Sequence, residues 1–282
     1  MKKFLMILVL SILSLNTKHA FAETTYEKVM RTNTIRCGYL LWPPFFDQDI
    51  KTGKFSGMNY DYTEAIGEIL NLKIEWTLEV IPGNQIEALR SGKIDAMCAG
   101  DGPIIPSTLK YMTYSTPLAY FPFFLYSRKD DTRFNQNWKS SINNPNIKIA
   151  VIDGDVSGQT ARSLFPKATQ IAIPQISGPT QMMSDVVTKK SDIVINDPLS
   201  MSYYLKHNPD TLKKLETNGP ITVIPNTLSV LKSDNNLTFL SLINQAIENI
   251  KNSPLEKEIL EPYMFVNGTV AFYPSSKSYT KP

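Results

Sequence analysis

Histidine is almost missing from this chain. Two occur in 282 residues, and His19 sits in a leader-like opening stretch, so the body of the protein keeps His207 alone. One imidazole cannot furnish a His-based metal site, and a Ser-His-Asp triad has very little to be built from. That scarcity argues against most hydrolases. Cysteine is as sparse, with Cys37 and Cys98 the only two. Past residue 22 no apolar run approaches the roughly 20 residues that a membrane-crossing helix needs. An excess of one charge is missing too. The formal +3 is carried by Lys2, Lys3 and Lys18, and without them the chain has 26 basic and 26 acidic side chains. A balanced chain offers no electrostatic handle for nucleic acid or an anionic membrane face. Short-period repeats and low-complexity tracts are lacking as well.

What is present is ordinary globular material: 42% hydrophobic, 20% charged and 10% aromatic. That composition supplies an ample core, and the length suggests about two domains. Residues 1–22 read as a secretory signal peptide. Lys2 and Lys3 form its basic start, Phe4 to Leu15 an apolar stretch too short to span a bilayer, and Ala20-Phe21-Ala22 the cleavage site. No cysteine adjoins the cut, so no lipid anchor is expected there. The mature protein is expected to be soluble and exported. In an oxidising compartment an even cysteine pair is either a disulfide, Cys37 to Cys98, or two buried thiols.

The stretch Ile35 to Asp61 organises the rest. Thr34 to Leu41 is a short apolar run bounded by polar residues, which predicts a buried strand. Trp42-Pro43-Pro44-Phe45-Phe46 follows, and its prolines stiffen a turn that holds three aromatic rings just past the strand end. Ligand sites of open α/β sheets lie at that position. The turn reads either as the aromatic wall of a small-molecule pocket or as a rigid piece of core. Lys51 to Lys54 predicts a hairpin-like turn, and Tyr62 to Leu70 a helix with Asp61 as its N-cap.

Strands are then predicted over Lys73–Val80, Ile94–Ala99, Lys148–Ile152, Thr169–Ile173, Ser191–Asp197 and Ile221–Ile224. Helices are predicted over Glu23–Thr32, Gln85–Arg90, Gln159–Leu164, Gln181–Thr188 and Leu199–Lys206, with a long amphipathic one through Leu237 and Ile250. Alternating strands and helices imply parallel sheets with right-handed crossovers. Charged Arg128 to Asp131 separates two such α/β units.

The order of motifs resembles the family-3 periplasmic solute-binding proteins, the polar amino-acid receptors of ABC importers. The aromatic-Pro-Phe segment is similar to Trp42-Pro43-Pro44-Phe45, and the family's G-F-D-V-D to Gly57-Met58-Asn59-Tyr60-Asp61. Its L-x-x-G-K-x-D-A is similar to Leu89 through Ala96, and its F-S-x-P-Y to Tyr114-Ser115-Thr116-Pro117-Leu118. In the second unit V-x-x-G-T-T is similar to Val151 through Val156, and D-A-V-x-x-D to Asp192 through Asp197. The resemblance implies an α/β, two-lobe periplasmic-binding-protein (type II) fold whose lobes close like a hinge. Lobe one is expected at 23–126 with 224–282 and lobe two at 127–223, with crossings near Leu125–Arg128 and Ile221–Ile224. It also implies periplasmic location, a small polar ligand, delivery to an ABC permease, no cofactor and a monomer.

Three departures from the pattern bear on the ligand. The family's T-x-x-R carries an Arg that clamps a ligand α-carboxylate through two hydrogen bonds. Here Thr108 stands at the Thr position and the Arg is absent, Lys110 being displaced along the chain. The preceding loop carries Asp101. The second-lobe loop Gly154-Asp155 has an acid where a hydroxyl is usual, and Asp197 keeps the position that pairs with a ligand ammonium. Three acids facing one cleft without a clamp cation favour a positively charged ligand. Tyr39, Trp42 and Phe45 would hold it by cation–π contact worth about 0.5–2 kcal/mol. Asp155 reads equally as a plain helix N-cap and Asp101 as a solvated turn residue. Two other functions remain open. One is a cyclohexadienyl-dehydratase-like enzyme, for which Glu79 or Asp101 would be the acid; the other is a sensor or partner-binding module.

Overall fold

The computed structural model describes residues 23–81, 83–101, 106–251, 253–266, 269–270 and 273–274. The expected leader and the polar tail from Ser275 lie outside these residues. Among the described residues no helix is long and apolar enough to cross a membrane.

Helix α1 (Thr25–Thr32) opens on a capping box in which Thr24 accepts from Glu27 N and Glu27 reaches back to Thr24 N. Then come β1 (Thr34–Tyr39), a small hairpin of β2 (Asp47–Gln48) and β3 (Phe55–Ser56), α2 (Met58–Leu70), β4 (Lys73–Glu79), α3 (Gln85–Arg90), β5 (Ala96–Asp101), α4 (Pro106–Leu109) and β6 (Met112–Tyr114). The long β7 (Ala119–Arg128) leads to α5 (Trp138–Ile142), β8 (Lys148–Ile152), α6 (Val156–Leu164), β9 (Thr169–Ile173), α7 (Gly178–Val187), β10 (Ile193–Asn196), α8 (Pro198–His207) and β11 (Leu212–Lys214). A second long strand, β12 (Thr222–Leu231), returns the chain to α9 (Asp234–Ile250), α10 (Pro254–Leu260) and the short β13 (Phe265–Val266), β14 (Thr269–Val270) and β15 (Tyr273–Pro274).

Eleven of the described strands join one mixed sheet, ordered β4-β1-β5-β12-β7-β10-β8-β9 along its main path. The outer strands on both sides are parallel: β1 to β4 and β5, β8 to β9 and β10. The middle is antiparallel, because β7 and β12 run against each other from Ala119–Phe123 to Thr222–Asn226. Those two strands carry the chain from one lobe to the other and back. Leu125–Arg128, where a crossing was expected, pairs instead with β10 and β11 inside the second lobe. The tail strand β15 lies along β7 at Tyr120 and Ala119, beside the crossing.

Each lobe has its own core. One gathers Ile35, Met58, Tyr62, Ile66, Phe239 and Ile247 around α2 and α9; another gathers Phe134, Ile149, Val151, Phe165 and Ile193 around β8 and β10. Cys37 and Cys98, on neighbouring β1 and β5, are joined in a disulfide with Cα atoms 5.4 Å apart.

One helix start differs from expectation for a clear reason. Helix α2 begins at Met58, with Gly57 rather than Asp61 at the cap, and Asp61 falls in the first turn. Gly57 has φ +115°, and a Cβ there would sit 2.5 Å from the Phe45 carbonyl oxygen. Backbone contact, with no side-chain cap, sets this helix end, so capping chemistry could not reveal it.

Candidate functional site

The Trp42–Phe46 turn is closed by its own backbone: Trp42 N donates to Phe46 O at 2.9 Å and Phe45 N to Trp42 O at 2.8 Å. This geometry sends the three rings in different directions. Phe45 is buried in the first-lobe core and stacks on Phe121 with ring centres 4.4 Å apart. Phe46 turns the other way, against Tyr39 at 5.0 Å and Trp76 at 4.6 Å. Tyr39 is thereby enclosed in an aromatic cluster with Phe46, Phe55 and Trp76. Burial, and secondarily Glu79, raises its phenol pKa. Only Trp42 of the proposed wall stays half-buried and faces the other lobe.

Trp42 meets the second lobe at the start of α8. Its indole Nε1–H donates to Ser200 Oγ at 3.0 Å across 158 residues of sequence. Its ring packs against both the first-lobe core and a second-lobe cluster that includes Phe124, Tyr126 and Met201. Leu199, from α8, is buried within the first-lobe core. A groove of about 480 Å³ opens beside this junction, between Pro44 and Leu199, Ser202, Tyr203 and Lys206.

Asp197 sits directly behind Ser200. It is 1% exposed and N-caps α8, accepting from Ser200 N at 2.8 Å. Burial raises its pKa against the hydrogen bonds from Ser200 that favour the ionised form. The Tyr126 phenol lies close by, its own pKa pushed up by burial and by Asp197. Asp155 is half-buried and caps α6, accepting from Val156 N, with Ser157 Oγ donating to it at 3.2 Å. Its carboxyl is also pushed up by burial. Gly154, at φ +74°, supplies the left-handed turn before it. Among the described residues no lysine or arginine is paired with either carboxyl.

The remaining expected residues are less committed to this junction. Thr108 is half-buried on α4, where its hydroxyl accepts from Tyr114 at 2.8 Å. Asp101 ends β5 opposite Thr227, and its side chain lies outside the described part of the structure. A further cavity of about 270 Å³ separates α6 from the crossing part of β12, between Gln159, Thr160 and Thr222. Neither this cavity nor the groove at Pro44 is lined by Asp155 or Asp197. No group of His, Cys, Asp or Glu suited to a metal ion occurs among the described residues.

Sequence reasoning passed over three residues here. Ser200 is one of many serines and carries no motif. Tyr126 reads simply as part of an aromatic strand. Asn226 on β12 donates to Asn59 at 2.6 Å, a buried amide pair that ties the crossing strand to α2. Their partners are 158 and 167 residues away in sequence, so only the folded topology reveals them.

The model of the bacterial extracellular solute-binding proteins, family 3, matches residues 35–266. The chain belongs to that family. Among its relatives in family 3 is a probable amino-acid ABC transporter-binding protein of Haemophilus influenzae, 25% identical over 83% of this chain and 85% of that one. Solved structures share the fold. An ancestral amino acid-binding protein described as a precursor of cyclohexadienyl dehydratase superposes with TM-score 0.71 at 23% identity, covering 85% of this chain and 99% of that one. A putative ABC-transporter binding component from Wolinella succinogenes, complexed with lysine, gives 0.71 at 20% identity over 83% and 97%. An ancestral arginine-binding protein bound to arginine gives 0.69 at 23% over 83% and 99%. The architecture is thus the two-lobe type II periplasmic-binding-protein fold with two hinge-crossing strands.

Proposed function

We propose that this family-3 protein is exported, captures a small polar molecule of positive charge between its lobes, and delivers it to the permease of an ABC importer. The observation that carries this reading is Asp197: a buried carboxylate at the interlobe junction with no cationic partner among the described residues. An uncompensated buried charge is costly, and a ligand ammonium would neutralise it. The absence of the carboxylate-clamping Arg from the Thr108 segment points the same way, as do the lysine and arginine bound in two structural relatives, while the name of the Haemophilus influenzae relative supports an amino-acid receptor of unstated charge preference.

In this reading Trp42 and Asp197 form the centre of the site. Gly154 and Asp155 approach from α6, Asp101 and Thr108 from the first lobe, and Tyr39 and Phe45 stand behind Trp42 as its support. The lobes are 23–126 with 224–282 and 127–223, to within the few residues that the paired crossing strands share. Cleavage after Ala22 releases a periplasmic monomer. Capture and delivery require no bond-making chemistry, so the protein is not an enzyme. The likeness to a dehydratase precursor keeps one alternative, turnover of a cyclic acid on this scaffold.

A thermal-shift screen of the mature protein tests both. Binding raises stability by about 2.7 kcal/mol at a hundredfold excess of ligand over Kd. Lysine, arginine and simple diamines should shift the melting temperature, and glutamate should not. The reverse order would remove the cationic-ligand reading, and consumption of a hit would transfer the protein to the enzymes.

A further inference from the structure

Ser200 lies where the aromatic turn of the first lobe meets the helix end that holds the buried acid of the second. Its hydroxyl oxygen accepts the Trp42 indole N–H at 3.0 Å. Its backbone N–H donates to Asp197 Oδ1 at 2.8 Å. The residue is 2% exposed, so water does not compete freely for either bond. Around this polar contact the junction is sealed by apolar groups from both sides, with Leu199 in the first-lobe core and the Trp42 ring against the second-lobe cluster.

We propose that Ser200 is a positioning residue that links lobe closure to the ligand-binding carboxylate, accepting from Trp42 only when the lobes meet and bracing Asp197 in the same arrangement. The inference deepens the receptor reading and rests on it for the role of Asp197. Its physical content is separate. The Trp42–Ser200 bond joins residues on opposite sides of the crossing strands, so it forms on closing and is lost on opening. A ligand that closes the lobes would gain that bond whatever its own charge. Removing the bond should therefore weaken all ligands by one common factor, whereas altering Asp197 should act on cations selectively. Trp42 then serves as a latch as well as a wall.

The indole N–H groups of the mature protein, compared without ligand and saturated with a hit from the thermal-shift screen, report on this directly by hydrogen exchange followed in ¹⁵N-resolved NMR. Three tryptophans give internal references. Trp76 Nε1 donates to Glu64 at 2.7 Å within the first lobe, and the Trp138 indole has no hydrogen-bond partner among the described residues. In the ligand-saturated natural protein Trp42 should exchange more slowly than Trp138 and more slowly than it does without ligand. Ser200→Ala should speed Trp42 exchange about threefold to tenfold, the equilibrium value of one ordinary hydrogen bond, and leave Trp76 within twofold. Ser200→Thr keeps the hydroxyl and should restore most of the protection. Calorimetry with any ligand from the screen should show the same loss for Ser200→Ala with cationic and neutral compounds.

Trp42 exchanging as fast as Trp138 in the ligand-saturated natural protein would overturn the proposal, and so would Ser200→Ala leaving Trp42 exchange under saturating ligand unchanged. A charge-selective loss in Ser200→Ala would also overturn it, since the residue would then be a ligand contact. If only uncharged compounds bind, the cationic reading fails while exchange with such a compound bound still decides whether the latch exists, and if nothing binds the coupling fails with the receptor reading.

Discussion

Replacing Asp197 by asparagine separates charge from geometry at the proposed site. Asparagine has nearly the same size, and its amide oxygen can accept the Ser200 N–H bond that Asp197 accepts at 2.8 Å, so α8 keeps its cap. What disappears is the negative charge. A hydrogen bond to a charged group contributes about 1.5–3 kcal/mol, so a cationic ligand should lose roughly tenfold to a hundredfold in affinity. A neutral ligand should change by less than about threefold, because only the cap geometry concerns it. Folding stability should stay within about 1 kcal/mol or rise, since a buried carboxylate without a cation is removed. Asp197→Ala serves as the comparison: it loses the cap as well, and that alone should cost about 0.5–2 kcal/mol. Isothermal calorimetry with one cationic and one neutral ligand, alongside urea unfolding, separates these terms. Equal losses for both ligands in Asp197→Asn would refute the reasoning, as would a cation that binds unchanged.

Four further outcomes follow from the same structure. The Cys37–Cys98 bond closes a loop of sequence separation 61, so replacing both cysteines by alanine should lower stability by about 2–4 kcal/mol in denaturant unfolding. Gly57→Ala would place a methyl 2.5 Å from the Phe45 carbonyl at φ +115°, and should destabilise by at least about 1–3 kcal/mol while shifting the Trp42 turn. Asp131 and Asp192 have lowered pKa values: burial opposes ionisation, and the Arg133 hydrogen bonds outweigh it. Their stabilisation is present above the ordinary carboxylate value of 3.8 and is lost as pH falls through the folded values. Acid unfolding should therefore be blunted in Asp192→Asn, measured as a shallower fall of melting temperature with pH below the ordinary carboxylate range. Asp197 has the opposite sign, its pKa raised by burial. Its contribution is complete below the unfolded pKa and fades as pH rises through the folded one. Cation affinity should accordingly fall as the pH drops through that folded value, with proton release on binding, detectable by calorimetry in buffers of different ionisation enthalpy.

Much of this architecture was legible in the chain because several of its strands are short apolar runs set off by turn residues. KIAVI at Lys148–Ile152 and TQIAI at Thr169–Ile173 coincide with β8 and β9, since a short apolar run between turn residues has few other uses. The crossing strand β12 was harder. Only Ile221–Ile224 read as strand, because Pro225 and Asn226 look like a break, yet the strand continues to Leu231. Proline is tolerated there opposite Tyr120, in the stretch that β7 and β12 share. Helix α6 starts at Val156, earlier than the apolar spacing suggested, because Asp155 caps it through its own side chain.

The site divides along the same physical line. The aromatic-Pro-Pro-Phe turn and the acid ending β10 are local signals, and both sit at the interlobe junction. Which way each ring points is not local. Phe45 is captured by Phe121 and Tyr39 by Phe46, partners supplied by the packing of whole elements. Ser200 gave no signal because its partner is Trp42, a residue 158 positions away that only the folded chain brings to it.

The central claim is that a buried, unpaired carboxylate awaits a cation between the lobes, and a crystal structure of the mature protein with its tightest ligand tests that most directly. The account predicts a ligand nitrogen within about 3 Å of the Asp197 carboxylate, with Trp42 closed over it and bonded to Ser200. A ligand carboxylate or uncharged group in that place, or a ligand seated away from Asp197, would contradict it.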